Sequence, residues 1–181
     1  ADWLSSYHVK ELIDANGRPR QEVLEVVPQG NLRMGHNKHT IGGNMRHSLV
    51  IPNYKNLAVE VKKPGTVQAS NTEVGAKLLA QIVVKNPETF CFFCPDETES
   101  NKMQALFEVT GRAYQWPLAP HDEHMSKTGR VMEILSEHTL QGWLQGYLLT
   151  GRHGIFATYE AFATIVASMV DQYAKFIKQS L

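Results

Sequence analysis

The chain has 181 residues, of which 43% are hydrophobic and 20% are charged. This composition can supply one globular core, and it argues against intrinsic disorder. The 18 Lys and Arg residues balance the 18 Asp and Glu residues, so no net charge draws the chain to nucleic acid or to an anionic membrane surface. We therefore expect neither partner, and any bound phosphate group must be held by local donors.

The apolar runs and the ends of the chain bear on where the protein resides. The apolar runs are too short to span a bilayer, and the first residues do not form a basic, apolar leader. A cytoplasmic protein is the simplest interpretation. The sequence starts without Met and ends within a predicted helix, so we expect a fragment of a longer protein.

Residues 1–70 show no clear helical or strand periodicity, and we expect them to form an irregular N-terminal segment that leads into the domain. The pattern changes at Asn71, a predicted helix cap, because apolar residues then recur on one helical side until Asn86 and Pro87. We therefore place the domain core at 71–181, with one domain overall.

Strands and helices alternate over this core. The predicted strands are Thr89–Cys94, Arg130–Leu135 and Gly154–Thr158. The predicted helices begin at Asn71, at Asp96 or Thr98, at Ser136 and at Glu160, and the second of them closes near Gly111. This alternation predicts an α/β fold, in which helices cover both faces of a central parallel sheet.

Two motifs have the residue types of redox or metal sites. Cys91 and Cys94 form a CxxC within a predicted strand, where positions three apart point to opposite faces, so we interpret them as buried core thiols. His121 and His124 lie in a Pro-flanked loop, and no third ligand is fixed by spacing. We expect that loop to be exposed and to bind no metal.

Ligands of parallel sheets bind at the carboxyl ends of the strands, where a strand leads into a helix. The sequence predicts three such places, at 96–102, 136–138 and 158–159. Neither a GxGxxG motif nor a P-loop occupies any of them. The sequence therefore does not favour a dinucleotide or P-loop site.

Several segments together resemble the phosphoketolase family, within the transketolase superfamily. The longest is GRVMEILSEH at 129–138, followed by QGWLQGYLLTGRHG at 141–154 and by YEAF at 159–162. Shorter matching segments are 33–35, 42–43, 95–98 and 100–101. The resemblance therefore covers most of the chain.

This resemblance implies a thiamine-diphosphate-binding fold of the pyrimidine type. In the superfamily, this domain holds the aminopyrimidine ring of thiamine diphosphate, whereas a separate domain with a Gly-Asp-Gly motif binds the diphosphate and its divalent metal, Mg²⁺. No Gly-Asp-Gly occurs in this sequence, so we expect the chain to supply half of an active site and no metal ligand. The implied partner is the diphosphate-binding domain of the same enzyme, which is expected to form a homodimer.

The implied reaction is the cleavage of xylulose 5-phosphate, or of fructose 6-phosphate, with inorganic phosphate to give acetyl phosphate and a shortened aldose phosphate. Two other functions stay open: a transketolase-like transfer of two carbons to an aldose, and a non-catalytic domain used for assembly or regulation. The isolated chain is expected to lack phosphoketolase activity.

Three residues are implied to contact the cofactor. The resemblance assigns to Glu137 the role of the acid that activates the pyrimidine ring, although Glu137 could instead be an ordinary helix-start acid beside Ser136. A helix N-terminus stabilises its anion, while burial against a ring favours the neutral acid. Tyr159 and Phe162 are three residues apart, so they can face one side and stack on a flat ring, with core packing as the alternative.

Ser100 and Lys102 are the candidate residues for binding a sugar phosphate or inorganic phosphate. They are predicted to lie at a helix N-terminus, which favours anions, and the family binds phosphate in this region. The family usually has Ser-Asn-Arg where this chain has Ser100-Asn101-Lys102, so a point charge replaces a bidentate fork. The alternative is a solvated first helical turn.

Overall fold

A computed structural model describes residues 2–36, 46–96 and 98–180 of the chain, and these form two compact units, 2–36 and 46–180. The first unit has three short helices, α1 Asp2–Ser5, α2 Val9–Leu12 and α3 Gln21–Glu25. Two 3₁₀ turns follow, Gly30–Leu32 and Met34–His36. None of its described residues is buried, so they form no core of their own.

The second unit is an α/β structure, as predicted. Its helices are α4 Asn71–Lys85, α5 Glu137–Leu149 and α6 Ala163–Ser180. Its strands are β1 Phe90–Cys94, β2 Arg112–Ala113, β3 Met125–Ser126, β4 Val131–Glu133 and β5 His153–Phe156. The remaining elements are 3₁₀ turns at Tyr54–Leu57, Gln104–Glu108 and Glu160–Phe162. Among the described residues, no helix is both long and apolar enough to cross a membrane.

The strands form one sheet in the order β3-β2-β4-β1-β5, and every pair is parallel. β1 is the buried centre of this sheet, because all five of its residues are buried. β4 pairs with one edge of β1 and β5 with the other. A strand buried on both faces explains the uninterrupted apolar sequence from Phe90 to Cys94.

Side chains of β1 alternate between two separate core clusters. Phe90, Phe92 and Cys94 pack on the α4 face. Cys91 and Phe93 pack on the α5 face, so helices cover both faces of the sheet. Both cysteines are free and buried, which confirms their interpretation as core thiols on opposite faces.

The N-terminal cap of α5 agrees with the prediction, whereas the cap of α4 differs from it. Ser136 caps α5, because its Oγ accepts a hydrogen bond from the Thr139 amide at 3.3 Å. The cap of α4 is Ser70 rather than Asn71, since Ser70 Oγ accepts from the Glu73 amide at 3.4 Å. The helix itself begins at Asn71, as the sequence indicates.

The helix predicted from Asp96 or Thr98 to near Gly111 is wrong. Residues 98–102 form a turn, and only the short 3₁₀ turn Gln104–Glu108 follows. Thr98 donates its hydrogen bonds to Glu133, at the end of β4, instead of capping a helix. Lys102 has a φ of 60°, a left-handed conformation that an α-helix does not continue through.

Candidate active site

The carboxyl ends of β4, β1 and β5 lie side by side, because these strands are parallel and neighbours in the sheet. Adjacent strands are about 4.8 Å apart, so the ends of β4 and β5 are separated by about 10 Å across β1. A cavity of about 120 Å³ lies at this edge. Its lining residues are Thr72, Cys94, Asp96, Asn101, Met103, Ala157 and Thr158.

Glu137 is the first residue of α5 and follows the end of β4 by four positions. The side chain is half-buried, and its carboxylate makes no hydrogen bond or ion pair with another described residue. Ser136, not Glu137, caps the helix with its side chain. Within the described part of the chain, the carboxylate of Glu137 is therefore left available for a ligand.

Tyr159 and Phe162 follow β5 and face the same side. Their ring centres lie 6.4 Å apart with an angle of 56° between the ring planes. The Phe162 amide donates to the Tyr159 carbonyl at 3.0 Å, which closes the 3₁₀ turn that pairs the rings. They are 45% and 39% exposed, so both offer an apolar face to a ligand rather than filling the core.

Thr158 adds a polar group beside this aromatic pair. Its Oγ1 atom is buried, and it has no hydrogen-bond partner among the described residues. A buried hydroxyl without a partner is costly. Because Thr158 also lines the cavity at the edge of the sheet, a ligand group bound there can satisfy the hydroxyl. The sequence analysis placed 158–159 among the three strand ends where ligands are expected, but it gave Thr158 no role of its own.

Ser100 and Lys102 lie in the turn 98–102, which we call the anion turn, and both are exposed. The predicted helix N-terminus is absent there, so any anion bound by these residues meets side chains and turn amides, without a helix dipole. Asn101, between the two, lines the cavity. The structure thus brings the anion turn to the edge of the sheet that also carries Thr158.

The anion turn is anchored by a network that the sequence did not reveal. Glu133 Oε2 accepts hydrogen bonds from the Thr98 amide at 2.8 Å and from the Thr98 hydroxyl at 2.5 Å. Glu133 Oε1 accepts from Arg112 Nε at 2.7 Å. The sequence did contain one signal for this network, because Glu133 is an acidic residue within a short apolar strand. A charge at such a position must find partners.

Arg112 connects this network to the rings of Phe107 and His124. Its guanidinium carbon lies 4.3 Å from the centre of the Phe107 ring, and that ring stacks on His124 at 4.7 Å. Its Nη2 atom lies 3.7 Å from a carboxylate oxygen of Glu99.

The described residues contain no group of three or more His, Cys, Asp or Glu side chains that could hold a metal ion.

Comparison with known protein families shows which proteins this chain is similar to. Residues 73–181 match a family model described as D-xylulose 5-phosphate/D-fructose 6-phosphate phosphoketolase, and residues 1–45 match the model of that family's N-terminal domain. The first match begins just inside α4 and includes every strand of the sheet. It therefore also contains all five candidate site residues.

Relatives named as probable phosphoketolases align with nearly the whole chain. Identity is 48% with a protein from Synechococcus elongatus, over 99% of this chain and 23% of the relative. It is 49% with one from Streptomyces avermitilis and 47% with one from Nitrosomonas europaea, each over 98% of this chain and 23% of the relative. The chain spans about a quarter of the length of these relatives, and it belongs to the D-xylulose 5-phosphate/D-fructose 6-phosphate phosphoketolase family.

Proposed function

We propose that this chain is the pyrimidine-binding part of a thiamine-diphosphate-dependent phosphoketolase. The whole enzyme cleaves xylulose 5-phosphate or fructose 6-phosphate with inorganic phosphate to give acetyl phosphate and a shortened aldose phosphate. Family membership supports the reaction class. The observation that carries the proposal is the edge of the sheet. Glu137, whose carboxylate has no hydrogen bond or ion pair with another described residue, follows β4 on one side of β1, and two exposed aromatic rings follow β5 on the other.

Glu137 activates the pyrimidine in this proposal. Bound thiamine diphosphate supplies the carbon nucleophile that attacks and cleaves the sugar. The carboxyl group of Glu137 donates a hydrogen bond to N1′ of the pyrimidine, and it takes up and returns the proton there.

Tyr159 and Phe162 position the ring that Glu137 activates. Their exposed faces supply apolar area, and a tilted pair can contact both the face and the edge of a flat heterocycle. The ends of β4 and β5, which precede the acid and the aromatic pair, lie about 10 Å apart across β1, and the proposal places the ring beyond the end of β1. The Thr158 hydroxyl can hydrogen-bond to a polar ligand group at this edge.

Ser100 and Lys102 bind the phosphate group of the sugar or inorganic phosphate. The ammonium group of Lys102 supplies charge, and the Ser100 hydroxyl supplies a hydrogen bond. We further propose that the ligands of Mg²⁺ and of the diphosphate lie in another domain of the same enzyme. That enzyme acts as a homodimer in the cytoplasm.

The test uses the full-length enzyme from which the chain comes. Purified enzyme with thiamine diphosphate, Mg²⁺, xylulose 5-phosphate and inorganic phosphate is expected to form acetyl phosphate, measured as its hydroxamate. Omission of thiamine diphosphate after its removal by dialysis should abolish the product. A transketolase-like enzyme instead forms a longer sugar phosphate when an aldose phosphate is added, and formation of that product without acetyl phosphate contradicts the proposal.

A further inference from the structure

We propose that Glu133 is a positioning residue: it sets the orientation of the anion turn without touching the anion. This inference rests on the proposed role of the anion turn in binding phosphate. The carboxylate uses both oxygens, one for the amide and hydroxyl of Thr98 and the other for Arg112. Since Thr98 is the first residue of the anion turn, Glu133 fixes where the turn leaves the sheet.

Burial makes this network rigid. Thr98 is completely buried, and the side chains of Glu133 and Arg112 are only 17% and 14% exposed. A carboxylate and a guanidinium so far from water are costly unless each is paired and hydrogen-bonded. The Glu133 carboxylate therefore requires both Thr98 and Arg112 in place. Hydrogen bonds to charged groups are also stronger than neutral ones.

The backbone of the anion turn needs such an external anchor. The Lys102 amide donates to the Glu99 carbonyl at 2.9 Å, and the Met103 amide donates to the Thr98 carbonyl at 3.0 Å. Lys102 has a left-handed backbone with a φ of 60°, which is unfavourable for a residue with a side chain. Such a conformation persists where surrounding contacts impose it. Because Thr98 starts the turn and accepts its closing hydrogen bond, loss of Glu133 removes the side-chain anchor at the residue where the turn begins.

The central test is Glu133→Gln in the full-length enzyme. The amide has nearly the same shape, but its NH₂ group must face either Thr98 or Arg112, where a donor then meets a donor. We expect the KM for phosphate or for sugar phosphate to rise by roughly tenfold, since one lost hydrogen bond to a charged group is worth that much or more. Proton exchange at C2 of the bound cofactor should keep the wild-type rate, because Glu137 is untouched.

Two Thr98 variants separate the hydrogen bond from the packing. Thr98→Val has the same shape without the hydroxyl donor, and it should raise the same KM. Thr98→Ser keeps the donor, and it should stay close to wild type. Tyr147→Phe is the control for general destabilisation, because the Tyr147 hydroxyl is hydrogen-bonded to Arg130 at 3.0 Å near the amino ends of the strands. That variant should lower the melting temperature and leave every KM unchanged.

The outcomes distinguish the positioning role from the proposed function. Wild-type KM values in Glu133→Gln overturn the inference, as does an equal KM rise in Tyr147→Phe. If the wild-type enzyme forms no acetyl phosphate, the proposed function fails, and hydrogen–deuterium exchange mass spectrometry of the peptide that contains 98–103 then decides. Faster exchange in Glu133→Gln than in Tyr147→Phe supports Glu133 as the anchor of the turn, and wild-type exchange refutes it.

Discussion

The replacement of Glu137 by Gln tests the assigned chemistry with little change in structure. The amide is nearly isosteric with the acid, and the Glu137 carboxylate makes no hydrogen bond or ion pair with another described residue. The fold loses only the interaction of one negative charge with the N-terminus of α5, about 0.3–1 kcal/mol. We therefore expect the melting temperature of the full-length enzyme to fall by a few degrees at most.

The catalytic effect of Glu137→Gln should be far larger. An amide can donate a hydrogen bond to N1′, but it cannot take up and return the proton that the ring exchanges. Deprotonation of C2 should slow by roughly 10²–10⁴-fold, the contribution of a positioned acid–base group. This corresponds to about 2.7–5.4 kcal/mol in the activation barrier. KM values for the sugar phosphate should change much less, because the phosphate group of the substrate is proposed to bind at the anion turn instead.

The assay follows hydrogen–deuterium exchange at C2 of the bound cofactor by NMR after acid quench, in parallel with acetyl phosphate production. Glu160→Gln is the matched control, because Glu160 is an exposed carboxylate at the start of the 3₁₀ turn that pairs the aromatic rings. It should exchange C2 at the wild-type rate. If Glu137→Gln does so too, Glu137 is an ordinary helix-start residue, and the activating acid lies on another strand end.

Three further predictions follow from the site and the core. Lys102→Arg in the full-length enzyme should lower the KM for phosphate or for sugar phosphate, because a guanidinium group can contact two oxygens at once. If both KM values are unchanged in initial-rate measurements, the anion is bound elsewhere. The isolated chain should be inactive and should bind thiamine diphosphate weakly by calorimetry, since the ligands for the diphosphate and metal are proposed to lie in another domain. Tight, Mg²⁺-dependent binding by the isolated chain contradicts this prediction. Burial raises the pKa of the Cys94 thiol from 9.0 to about 11 and also raises the pKa of the Cys91 thiol. Both thiols therefore stay protonated below about pH 9, and they should resist alkylation by iodoacetamide in the native enzyme, which mass spectrometry can measure.

Local patterns were enough to predict the central part of the fold. The run from Phe90 to Cys94 is apolar throughout, which is the pattern of a strand buried on both faces. Ser136 caps α5 through a contact only three residues along the chain, so its effect is visible in the sequence. The spacing of Tyr159 and Phe162 likewise fixed their pairing within one turn. Each of these features depends on residues that are close in sequence.

The features that the sequence missed depend on distant partners or on very short elements. The spacing of Met103, Leu106 and Phe107 is typical of a helix, yet Thr98 bonds to a carboxylate 35 residues later and redirects the chain. β2 and β3 have two residues each, which is too short to leave a periodic pattern. The anchoring network around Glu133 was therefore not predictable from local spacing, because its members come from three separate segments.

The end of β4 links the two halves of the proposed site. Glu133 is the last residue of β4 and holds the anion turn, and Glu137, four residues later, begins α5 and carries the proposed acid. β4 is fixed by pairing with β1 on one side and with β2 on the other. A shift of β4 by one residue would reverse the face of each of its side chains, and it would displace both the acid and the anchor. One short strand therefore sets the spacing between the proposed pyrimidine site and the proposed phosphate site.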